Sequence, residues 1–260
     1  MRTISYAAMI IGLSWSSIGC VKETKSAPVQ KAATVDSKPE TKTPPVIVKE
    51  KIMTKGPGAR ELCTRPASIP KNPETIEAIV ELINAMPKPL SVPCLIDTLD
   101  SPFYLDATDN QFSGQPAYGY ENPRIFLFLG SKLIVSIVPS GPGGKVVEFG
   151  YKTSETQTIK GELEFPVTES LALDAPYTYI LNRERDGTVC GTCHFPEARA
   201  PDGFPETAYT SLLVKPLNGY DVQLETLQNL NKACETTAGE HCPVIQSLFV
   251  RGNVQWKAFD

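Results

Sequence analysis

Cys190-Gly191-Thr192-Cys193-His194 places two thiols three positions apart with an imidazole directly after them. Three chemistries use such a set. Thiolates and an imidazole nitrogen ligate a metal. Paired thiols at this spacing exchange with disulfides. Two sulfurs and the next nitrogen also anchor and ligate a covalent cofactor. The chain has 7 cysteines and only 2 histidines. Both histidines, His194 and His241, adjoin a cysteine, which confines imidazole chemistry to the C-terminal part of the chain. Hydrolase chemistry gains no support, since there is no Gly-x-Ser-x-Gly elbow and no other histidine to serve as a triad base. Asp106, Asp109 and Asn110 suggest calcium at first sight, but the loop-closing Gly and distal Glu are missing, so they read as a turn.

Cys190, Cys193 and His194 match the Cys-x-x-Cys-His attachment motif position for position, and over these residues the chain resembles the c-type cytochromes. The resemblance implies one covalent haem c. Cys190 and Cys193 would form thioethers to the two vinyl groups, and His194 would be the proximal iron ligand. No methionine follows Cys193, which leaves His241, Met53 and Met86 as candidates for the sixth position, with His241 preferred. Five-coordinate iron would favour ligand binding over pure electron transfer. The proline-rich loop of Pro196, Pro201 and Pro205 is suited to offering a carbonyl to the free N–H of His194.

Rival readings stand beside this one. The same five residues resemble the active site of periplasmic disulfide isomerases, although Pro196, Pro201, Gly203 and Pro205 break any long helix after the motif. Cys190, Cys193 and Cys234, with Cys242 or His241, have acceptable spacing for zinc. Three structural disulfides, with His194 incidental and no cofactor, are the simplest alternative. In that case the protein is a stapled, non-enzymatic envelope lipoprotein that binds a partner or acts as a scaffold.

The elements that must position these residues fall into zones. Asn72-Pro73-Glu74 reads as a helix start, and Ile76, Ile79, Val80 and Ile83 follow on one face until Pro87 and Pro89. Between residues 102 and 182 the apolar period shortens to about 2. Runs at 124–129, 132–138, 146–151, 158–167 and 177–181 read as strands, with Gly130-Ser131 suited to a tight II′ hairpin. Together they predict a mainly β fold, an antiparallel sandwich or jelly-roll-like sheet pair, with an N-terminal helix and a small helix-containing C-terminal segment. In that segment, helices are expected over 221–234 and 243–249. The resulting division is a helix plus β-sandwich domain at 59–185 and a Cys/His-rich segment at 186–260. Cys63 and Cys94 flank the first helix and are disulfide candidates. Cys234 and Cys242 bracket a short loop and form a second candidate pair, which would leave Cys190 and Cys193 to each other.

The N-terminus places the molecule. Residues 4–18 are apolar or small and too short to span a bilayer, as in a secretory signal over residues 1–19. Ser17-Ile18-Gly19-Cys20 resembles the lipobox of bacterial lipoproteins, which implies lipidation at Cys20. Ser17 stands where Leu is usual. Val21 follows the cysteine, and no Asp does, so the resemblance points to an outer-membrane lipoprotein facing the periplasm, or a secreted protein if Cys20 is unlipidated. Residues 20–58 read as a flexible tether. The implied partners are the membrane, through this anchor, and a periplasmic redox protein. Net charge is −4, and no basic patch with interleaved aromatics argues for nucleic acid.

Overall fold

The computed structural model describes residues 61–69 and 72–259. The signal, Cys20, the tether and Met53 lie outside the described residues. Among the described residues no helix is long and apolar enough to cross a membrane.

The first helix, α1 (Ile76–Ala85), is capped by Thr75, whose side chain accepts from the Ala78 N–H at 3.2 Å. The cap expected at Asn72 is displaced because Asn72 Oδ1 accepts from the Asp100 N–H at 2.6 Å. Ile76, Ile79, Val80, Leu82 and Ile83 are buried, the apolar stripe that the spacing predicts. A short α2 (Val92–Asp97) follows, capped by Ser91. Cys63 and Cys94 form a disulfide across α1, and Cys234 and Cys242 form a second one.

Eight strands form one sheet: β1 (Phe103–Thr108), β2 (Arg124–Leu129), β3 (Leu133–Ile137), β4 (Val146–Lys152), β5 (Gln157–Glu164), β6 (Glu197–Arg199), β7 (Tyr209–Leu212) and β8 (Val254–Trp256). Their spatial order is β6-β7-β5-β4-β3-β2-β1-β8. All pairings are antiparallel except β1 with β8. The predicted sandwich of two sheets is therefore corrected to a single mixed sheet. Its strands read as a sandwich because both of their faces are covered, β3 being buried at every position. One face packs Leu105, Leu127, Val135, Phe149 and Ile159 against α1, α2 and α5 (Cys242–Phe249), so helices take the place of a second sheet.

Other details depart from expectation. Residues 177–181 are not a strand. They lie largely in α3 (Ala175–Tyr179), begun by Pro176 near its N-terminus, where a missing N–H costs nothing. The turn after β2 has three residues, with Gly130 at φ 63 and Leu129 paired to Leu133. The expected C-terminal helices are α4 (Leu224–Ala233) and α5. Residues after 186 also supply β6, β7 and β8, so the Cys/His-rich segment shares the sheet with the rest of the molecule.

Candidate functional site

The second face of the sheet is the floor of a cavity of about 1330 Å³. Strand alternation builds this floor. Phe126, Ser136, Glu148 and Glu162 lie opposite one another across β2, β3, β4 and β5, with Ile134, Gly150 and Lys160 in the neighbouring row. Cys190, Cys193 and His194 form part of the wall opposite, together with Val189 and Thr192. The cavity thus gathers all three residues of the motif.

Cys190–Thr192 is a single 3₁₀ turn. The N–H groups of Cys193 and His194 both donate to the Cys190 carbonyl at 3.0 Å. His194 Nδ1 lies 2.9 Å from the Leu212 carbonyl, and the Leu212 N–H donates to the His194 carbonyl at 3.0 Å. A carbonyl only accepts, so Nδ1 carries the proton and Nε2 the lone pair. The orienting carbonyl thus comes from the end of β7 and not from the proline-rich loop. Burial, with the positive charge of Lys160 and Arg124, lowers the His194 pKa from 6.5 to about 4, although the Leu212 bond opposes the shift. The ring is therefore neutral near pH 7, the form that ligates iron.

Cys190 is a free thiol. Burial first, then Glu162 and Glu148, push its pKa up to about 12. Cys193 is disulfide-bonded, but not to Cys190, so the pairing left over once the other four cysteines have bridged does not form. His241 precedes α5 and is not brought to the cavity wall. Its ring nitrogen and the sulfurs of Cys234 and Cys242 lie within 4.8 Å of one another. Both sulfurs are already joined to each other, which takes them out of the zinc set considered from the sequence. Met86 is buried in the helix-side core.

Arg124, Glu148 and Lys160 were missed in the sequence. Arg124 pairs with Glu148, donates to Ser136 Oγ at 2.7 Å and also bonds Ser113, which ties the loop before β2 to the floor. Burial lowers the pKa of Lys160, against the opposing influence of Glu148 and Cys190. The available signal was the alternation of Thr158, Lys160, Glu162 and Glu164 with apolar positions. In isolation that pattern reads as a solvent face. No family model matches the chain, and neither curated proteins nor solved structures gave a match.

Proposed function

We propose that the protein carries one covalent haem c in this cavity, and that it transfers electrons or senses a small ligand without transforming a substrate. The observation that carries the reading is a cavity of about 1330 Å³ walled by Cys190, Cys193 and His194 together. That exceeds the roughly 300–1,000 Å³ of ordinary small-ligand pockets and leaves room for a porphyrin.

Bound haem would supply a redox-active iron with an exchangeable position. The chain's residues have separate tasks. His194 offers Nε2, held in orientation by the bond from Nδ1 to the Leu212 carbonyl. The Cys190 thiol would hold one edge of the ring as a thioether, an addition that needs no oxidant or reductant. Cys193 would add likewise after an exported dithiol has reduced its disulfide and been oxidised to a disulfide in turn. Phe126 and Ile134 present apolar surface to a flat ring. Among the described residues lining the cavity there is no methionine and no second histidine, which favours ligand binding over pure electron transfer. Export and a periplasmic redox partner belong to the same reading, and so does lipid anchoring at Cys20, which requires the Cys20 sulfur to be outside any disulfide.

The Cys193 disulfide favours a second reading, a disulfide-stapled, non-enzymatic envelope protein whose cavity takes a partner without haem. Expression with haem-attachment machinery separates the two. A Soret band that survives denaturation and acid extraction supports haem c, and mass analysis of the peptide reports one thioether or two. Colourless protein with an unmodified Cys190 thiol overturns it.

A further inference from the structure

Glu197, the first residue of β6, lies against the motif from below. Its Oε2 accepts from the Thr188 N–H at 2.7 Å, and its Oε1 accepts from the Thr188 hydroxyl at 2.6 Å. Thr188 Oγ1 in turn accepts from the Cys190 N–H at 3.1 Å. Two glycines make room for this carboxylate. A Cβ at Gly187 would stand 2.7 Å from Oε2, and one at Gly191 only 2.5 Å from it. Gly187 has φ 123, a backbone that itself favours glycine. Gly191 does not adopt a left-handed φ, and the three nearest atoms a Cβ there would meet all belong to the Glu197 carboxylate, so a side chain fits only if that carboxylate shifts.

The other end of the motif is fixed to the same hairpin. His194 exchanges two hydrogen bonds with Leu212 of β7, and Glu197 pairs with Ser211 next to it. One short hairpin therefore holds Cys190 through Thr188 and His194 through Leu212.

We infer that Glu197 is the positioning residue of this site, acting across Gly191 to hold the Cys190 thiol and the His194 ring in register. The inference rests on the haem reading for its purpose, though its geometry stands without haem. The carboxylate would hold the turn in a shape that delivers both groups to one ligand face, and Gly191 of the Cys-x-x-Cys spacing would be its counterpart.

The test is a double-mutant cycle on the full chain: wild type, Gly191→Ala, Glu197→Ala and the pair, each expressed with and without haem-attachment machinery. Covalent haem per chain is read by absorbance after acid extraction. In haem-free protein, iodoacetamide alkylation is mapped to Cys190 by peptide mass, with the urea midpoint as a control for folding. Gly191→Ala in the wild-type background should raise the Cys190 alkylation rate about tenfold, as expected when charge-assisted bonds to a carboxylate are displaced. In the Glu197→Ala background the same change should have little further effect, because its obstacle is gone. Additive effects overturn the inference. Should Gly191→Ala fail to fold, Glu197→Gln decides: faster alkylation supports the inference and a wild-type rate overturns it. Absence of haem from every variant would sink the haem reading, while the alkylation rates would still settle the role of Glu197.

Discussion

His194 carries the most direct consequence of the cavity's electrostatics. Its folded pKa of about 4 lies below the ordinary 6.5, with burial as the main cause. Between those values the unfolded haem-free chain binds a proton at this ring and the folded chain does not. Stability should therefore fall as pH drops from about 6.5 towards 4, and this ring should contribute no further loss below 4. Solvent entering the cavity tempers the shift, so the loss is on the order of 2 kcal/mol. Urea midpoints of the haem-free protein at pH 7 and pH 4.5 measure it, and His194→Asn should flatten the difference. An unchanged slope in that variant would show that other groups carry the acid sensitivity. Arg124 poses the complementary case of a partly buried charge left without its partner. Removing it as Arg124→Met strands Glu148 and frees Ser113 and Ser136, at a cost of roughly 3 kcal/mol. Arg124→Met with Glu148→Met should recover part of that loss.

At the scale of elements, the two disulfides make a comparison that depends on loop length. Cys63 and Cys94 are 31 positions apart, whereas Cys234 and Cys242 are 8 apart. Restricting the unfolded chain across these loops contributes about 4 and about 2.5 kcal/mol respectively. Replacing Cys63 and Cys94 by serine should therefore lower the denaturant midpoint more than replacing Cys234 and Cys242. Both pairs were legible in advance because each brackets one local element. The Cys190–Cys193 pairing was not: it came from elimination among six cysteines, whereas Cys193 is bonded elsewhere and Cys190 is free. Helices α1, α4 and α5 were legible from their 3.6-residue stripes. The stretch at 177–181 was misread because Tyr177, Tyr179 and Ile180 look β-like, while Pro176 starts a helical turn and Tyr177 bonds Glu77 of α1. Tertiary packing overrode local preference there. Neither did α2 announce itself, since six residues give no period to read.

The whole molecule explains why the motif was legible and its chamber was not. Five adjacent residues suggest a chemistry, but the cavity is assembled from β2 to β5, the 112–118 loop, the 213–217 segment and the motif turn. A strand whose polar side faces a cavity has the same alternation as one whose polar side faces bulk water. Lys160 and Glu162 therefore looked like ordinary surface residues. The apolar strands suggested a sandwich because their second cover, a cavity walled partly by loops, has no periodicity of its own. A chamber of this size gives a global prediction. If porphyrin belongs in it, the ligand contacts four strands and two loops at once and binds only the folded state. Occupancy at about one hundred times the dissociation constant contributes about 2.7 kcal/mol, and a covalent link can only add to that. For a body of this size the melting temperature should rise by roughly 5–10 °C between haem-free and haem-loaded protein measured by circular dichroism. Ile134→Trp, which fills part of the floor from β3, should reduce both the haem content and this difference. Equal melting temperatures in loaded and unloaded protein would place the haem on the surface, tethered by its thioethers but not enclosed by the sheet.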